Sequence, residues 1–188
     1  MALRNIRTEG DEILRKKSKT IKEMTPRTEE LIDDMIETLH ESNGVGIAAV
    51  QVGVLKRLCI VSINPEDIFD PEEDEEGKKP EPPKDFEFMH TNGEDIVIIN
   101  PTIEVLDEET QTGNEGCLSV PNKFGLVTRP NHILLKASDR SLKPFELEAK
   151  GLLARAICHE CDHMDGVMYI DKLEGELHDV TQEEQEEE

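Results

Sequence analysis

Tryptophan is absent from this 188-residue chain, tyrosine occurs once and phenylalanine five times, so the core must be aliphatic. Positive charge is scarce: 21 Lys and Arg stand against 43 Asp and Glu, a formal charge of −22 at pH 7. A surface of that sign disfavours phosphate backbones and anionic lipid, so neither nucleic acid nor membrane is an expected partner. No run of ~18 apolar residues occurs, which excludes a helix spanning a bilayer. The opening Met-Ala-Leu-Arg-Asn-Ile-Arg-Thr-Glu-Gly has no apolar stretch of a secretory signal, and the expected location is cytoplasmic. Cys59, Cys117, Cys158 and Cys161 therefore read as thiols or metal ligands rather than a disulfide framework.

What is present is unevenly spread. Residues 65–85 hold ten acids, three lysines and five prolines, and residues 174–188 hold eight acids with no Lys or Arg. The rest of the chain carries only −7, an ordinary value for a globular unit. The expected organisation is one monomeric domain over 1–173, interrupted by a solvated acidic, Pro-rich insertion at 65–92 and followed by an acidic tail at 174–188.

A first helix is expected over 25–43, with Thr25 as cap, Pro26 at its first position and an apolar stripe of Leu31, Ile32, Met35, Ile36 and Leu39. Strands are expected at 57–63, 95–100, 102–106, 125–128, 132–138 and 144–149, separated by short turns that favour antiparallel pairing. A second helix runs from Gly151 to Met164 and stops near Gly166. Helix, strands, then helix is an α+β order rather than alternating βα units.

The second helix carries His159-Glu160-Cys161-Asp162-His163, a His-Glu-x-x-His pattern. Two histidines four apart lie ~40° apart around a helix axis, so both imidazoles reach one metal ion. Glu160 projects ~100° from His159, where a carboxylate touches a metal-bound water without ligating the metal. Leu153, Ile157, Cys161 and Met164 form a separate packing stripe. Cys158 and Cys161 face away from the metal side and read as core thiols.

A hydrolytic metal wants a third protein ligand and an open position. In one zincin branch a third His follows the second by six residues, but Tyr169 stands there; in another the ligand is a downstream Glu, and the candidates lie in the acidic tail. Glu115-Gly116-Cys117-Leu118-Ser119 offers a better donor on a connection between strands, giving a Cys-His-His set soft enough for Fe(II), Zn(II) or Co(II). A metalloendopeptidase and a catalytically silent metal-binding interaction protein remain open alternatives. The expected fold is then antiparallel strands packed around a central C-terminal metal-binding helix, with an N-terminal helix.

Three segments in order, Gly44-Val45-Gly46-Ile47-Ala48-Ala49-Val50-Gln51, Glu115–Ser119 and His159–His163, make the chain resemble the peptide deformylase family. The likeness extends through Val120-Pro121, Gly125–Pro130, Phe145–Ala149 and Tyr169-Ile170-Asp171. It implies Cys117, His159 and His163 as ligands of Fe(2+), with Zn, Ni or Co possible in purified material. It implies an N-formylmethionyl peptide, borne by nascent chains at the ribosome, as substrate, and formate as a product. Glu160 would move the proton, while Gln51 and the Leu118 N–H would stabilise the developing oxyanion. Gly46 and Ile47 would present main chain to the peptide in the manner of an added strand.

By the same likeness Val45, Glu115, Leu152, Arg155 and Ala156 line the methionine pocket. Arg155 stands where the family usually has an aliphatic residue, and its stem is expected to cover apolar surface while the guanidinium reaches solvent. Cys158 stands where the family usually has Gln. Asp162 is expected to orient a ligand or to pair with Arg129.

Overall fold

The structure, a computed structural model, describes residues 2–69 and 80–180. Helix α1 spans Pro26–Glu41; the Thr25 hydroxyl accepts from the Thr28 N–H at 3.2 Å, and Pro26 occupies a first-turn position that needs no donor. Strands follow at Gly46–Ala48 (β1), Leu58–Val61 (β2), Ile96–Val105 (β3), Thr110–Cys117 (β4), Val120–Pro130 (β5), His132–Ser138 (β6) and Pro144–Lys150 (β7). Helix α2 spans Gly151–Met164, and a two-residue strand, β8, pairs at His178–Asp179. The fold is α+β, as the order of elements predicts.

Five strands form one antiparallel sheet in the order β1-β2-β3-β6-β7, and β4, β5 and β8 form a second. Strand alternation divides the large sheet between the two helices. Ile47, Leu58, Ile60 and Ile99 face α1 and meet its Ile32, Met35 and Leu39. Ala48, Cys59, Val61 and Ile98 point the other way, against Leu153, Ala154, Ile157 and Met164 of α2. The metal-motif helix is thus sandwiched, one side on the large sheet and one toward β5. A small cluster of Leu14, Val120, Val127, Met168 and Tyr169 closes the second sheet.

The differences from expectation have local causes. The segments at 95–100 and 102–106 are one strand with a register shift after Ile99, where Asn100 takes φ 52° and its amide bonds both Ile21 N and Ile21 O at 2.9 and 2.8 Å. Pro101 next to it has no N–H for a ladder, which is why the pattern breaks there. Strand β4 is unforeseen: Thr-Gln-Thr-Gly-Asn-Glu-Gly-Cys is polar, mostly outside the core and carries two glycines. Cys117 therefore ends a strand rather than lying on a free connection.

The 65–92 segment is not wholly irregular. Short 3-10 turns form at Pro65–Asp67 and Phe86–Phe88, and the Phe86 ring packs edge-on against Phe69 and His90. Its middle lies outside the described residues. The tail is tied down at its start: Glu174 N–H donates to Leu126 O at 2.8 Å, β8 pairs with Lys123 and Phe124, and Val180 N–H donates to Asn122 O at 3.0 Å. The remaining acids of the tail lie outside the described residues. Among the described residues, no helix is long and apolar enough to cross a membrane.

Candidate metal centre

Three donors converge where the end of β4 meets the inner face of α2. His159 Nε2 and His163 Nε2 lie 3.1 Å apart, and Cys117 Sγ lies 3.2 Å from His163 Nε2. The three ligand atoms all fall within 4.8 Å of one another, and both histidines are buried. Ligands on a tetrahedral ion with bonds of ~2.1–2.3 Å sit ~3.3–3.8 Å apart, so one ion fits this triangle with small adjustments. One sulfur and two imidazoles form a borderline-soft set suited to Fe(II), Zn(II), Ni(II) or Co(II). Among the described residues this is the one such group of three. Among the described residues no carboxylate belongs to it.

The three candidate donors are held from behind. Glu115 Oε2 lies 3.0 Å from His159 Nδ1, which leaves Nε2 for the ion. Glu115 is buried and receives Arg129 Nε and Nη2 at 2.9 Å each and Arg155 Nη1 at 2.8 Å. Arg129 also donates to Asp162. Burial acts to raise the Glu115 pKa, but the Arg129 and His159 hydrogen bonds outweigh it and hold the carboxyl down at about 2. The Tyr169 ring stacks on His159 with centroids 6.0 Å apart and a 23° tilt.

The two imidazoles differ electrically. Burial acts to lower the His159 pKa, yet Cys117 and Glu115 override it and lift it to about 10. Burial and the neighbouring His159 push His163 well below its usual value. Metal binding through both Nε2 atoms requires each of them to be free of its proton.

Glu160 projects beside the donors. Its Oε2 is buried without a partner, and burial raises its pKa to about 7, a value suited to a general base near neutral pH. A Cβ on Gly46 would stand 2.5 Å from Glu160 Oε1, so only glycine lets β1 lie against this carboxylate. Gln51 is equally fixed: Ala48 N–H donates to its Oε1 at 2.8 Å, leaving Nε2 to face Ser119 Oγ at 3.2 Å and Cys117 Sγ at 3.5 Å.

A cleft of about 550 Å³ opens over these groups. The Polypeptide deformylase family model matches residues 3–178. A peptide deformylase of Lachnoclostridium phytofermentans is 50% identical over 188 residues, covering 100% of this chain and 99% of that one. The chain belongs to the peptide deformylase family. A second relative, the peptide deformylase of Agathobacter rectalis, is 46% identical over 187 residues and matched along 100% of both chains. The crystal structure of peptide deformylase from Ehrlichia chaffeensis superposes with a TM-score of 0.75 at 34% identity, covering 92% of this chain and 88% of that one.

Among the residues expected from the deformylase resemblance, Val45, Gly46, Gln51, Glu115, Cys117, Leu118, Leu152, Arg155, Ala156, His159 and Glu160 all line the cleft. Ile47 does not; its side chain is in the core under α1. Arg129 and Asp162 lie behind the ligands and pair with each other. The guanidinium of Arg155 does not reach solvent: it is buried among carbonyls of the β4–β5 hairpin, which supply the acceptors water would otherwise provide. Cys158 and Cys161 face a separate cavity of about 530 Å³ behind α2, and burial raises both thiols, Cys158 to about 11. Sequence reasoning missed Ser119, Tyr169 as a partner of His159, and Val180 at the cleft rim. The signal for Tyr169 was its position as the one tyrosine of an aliphatic chain, six residues past His163.

Proposed function

We propose that this chain removes the N-formyl group from the N-terminal formyl-methionine of newly made polypeptides, with Cys117, His159 and His163 holding Fe(II). Membership of the family makes it a metal-dependent amide hydrolase. The observation that carries the residue assignments is the meeting of one sulfur and two Nε2 atoms beside an unpartnered buried carboxylate at the floor of a cleft. The bound ion supplies Lewis acidity and makes a water acidic enough to ionise near neutral pH.

The chain's own groups do the rest. Glu160 accepts the proton of the attacking water and returns it to the amine nitrogen as the carbon–nitrogen bond breaks, so formate and a free α-amine leave. The negative oxygen that develops on the formyl carbon is met by the Gln51 amide and the Leu118 N–H. The fixed orientation of Gln51, with Oε1 tied to Ala48, supports this role, because the donor end needs no reorganisation. The peptide enters as a strand alongside Gly46 and Ile47, since β1 is an edge of its sheet. Val45, Leu152 and Ala156 offer apolar surface to the methionine side chain, and Glu115 and Arg155 neutralise each other beneath it.

The enzyme acts as a cytoplasmic monomer on chains emerging from the ribosome, and its charge of −22 supports contact through protein surfaces rather than RNA. Anaerobically purified protein should release formate from formyl-Met-Ala-Ser and carry iron by metal analysis. Cleavage of casein without formate release would overturn the reading in favour of an endopeptidase. Bound metal with turnover of neither substrate would leave a metal-binding protein.

A further inference from the structure

Both halves of the donor set belong to different bodies. Cys117 ends β4 in the small sheet, while His159 and His163 ride on α2, which packs on the large sheet. Something must set the gap between them, because an error of a few tenths of an ångström in donor spacing changes both affinity and ligand field.

Arg155 spans that gap. From α2 its Nη2 donates to Gln111 O at 3.0 Å, and its Nη1 faces Val127 O at 3.0 Å, Gly113 O at 3.4 Å and Glu115 Oε1 at 2.8 Å. Two of these carbonyls lie on β4 and one on β5, and Glu115 is two residues from Cys117 on the same strand. The guanidinium lies flat on the strand: a Cβ on Gly113 would come within 3.2 Å of Nη2. Here the glycine serves the arginine rather than a turn. Gln111 adds a weaker tie, its Nε2 donating to Gly151 O at 2.7 Å. Arg129 also ties the hairpin to α2, from β5 to Asp162, but among the described residues its side chain meets only Glu115 and Asp162 and holds no carbonyl of β4, so it adds to Arg155 rather than replacing it.

We infer that Arg155 is a positioning residue that fixes the distance between the Cys117 strand and the two-histidine helix, and aims Glu115 at His159. Its five donors in a rigid plane bind a carboxylate and three carbonyls at once, which the point charge of lysine cannot do. The role differs from that of a pocket wall, which would contact the methionine side chain and act on substrate affinity alone. The rate arm of the test rests on the deformylase reading; the metal arms do not.

The experiment compares the parent with Arg155→Met, Arg155→Lys and Gly113→Ala, all loaded with cobalt(II). Loss of cobalt to a chelator should be ~10- to 100-fold faster in Arg155→Met, as for other residues that orient ligands, with an altered visible ligand-field band. Arg155→Lys should fall between it and the parent. Gly113→Ala, which keeps every polar group and only displaces the guanidinium, should move both readouts in the same direction by less. On formyl-Met-Ala-Ser, Arg155→Met should lower kcat with KM unchanged. Thr112→Ala, which removes a hydroxyl contact to Thr128 from the same hairpin, should keep the parent's cobalt loss and spectrum. Unchanged cobalt loss and spectrum in both Arg155→Met and Gly113→Ala would overturn the inference, as would a raised KM at constant kcat. A parent without formate release would defeat the deformylase reading while leaving the cobalt arms decisive.

Discussion

Glu160 carries the sharpest expectation at the scale of single residues. Its carboxylate is buried, has an oxygen without a partner and belongs to no ligand cluster. Glu160→Ala should keep its metal by elemental analysis and lose ~10³-fold in kcat, the usual range for a missing general base. Loss of the metal would show instead that Glu160 is a ligand. The cysteines divide in the same way. Cys117→Ser should lose metal to a chelator far faster than the parent, whereas Cys158→Ser and Cys161→Ser, across the helix, should not. A third residue tests the electrostatics of the frame. His132 is pinched between Glu148 Oε1 at 2.8 Å and Asp107 Oδ2 at 2.7 Å, and these bonds raise its pKa above the usual 6.5. A raised folded value means that the stabilisation is fully present below the unfolded pKa and fades as pH rises through the folded one. Both carboxylates are more than a third exposed, so solvent screening keeps the effect small. His132→Gln should therefore melt below the parent at pH 6, with the gap closing as pH rises through the raised folded value.

Elements differ in how far their residues announce them. Helix α2 and strand β6 are legible to the residue, because a buried element must repeat its apolar positions at a fixed period. Helix α1 is legible through Thr25 and Pro26, although it stops at Glu41. Strand β4 is hidden because its stability comes from pairing along β5 and from the Arg155 hydrogen bonds, neither of which leaves an apolar pattern. The meeting of Cys117 with His159 and His163 is what the motif spacing and the family resemblance lead one to expect. The hydrogen bonds from Arg155 to the hairpin are not, since they depend on which carbonyls the fold brings to it. The tail's first residues were hidden for the same reason: Glu174, His178 and Asp179 look like solvated charge, yet their backbone completes the second sheet. A chain cut after Leu173 should consequently be ~1–2 kcal/mol less stable than one cut after Val180, since several backbone hydrogen bonds are lost. Chemical denaturation of the two truncations checks this; equal midpoints would contradict it.

Across the whole molecule the candidate ion site is the place where two sheets and a helix meet. A ligand bound by the native state alone adds RT ln(1 + [L]/Kd), about 2.7 kcal/mol at one hundred times Kd. Stripping the metal with a chelator should lower the melting temperature by several degrees and open the amides of β4 and β5 to hydrogen exchange before those of β2, which is buried along its whole length. Uniform exposure of both sheets would mean that the metal stabilises the fold without joining its parts. The stacking of Tyr169 on His159 has an optical corollary. With no indole anywhere and a single phenol in the chain, all tyrosine emission of this protein originates beside His159. Cobalt loading should quench that emission where zinc does not, so occupancy can be followed continuously in the unlabelled enzyme with a fluorimeter.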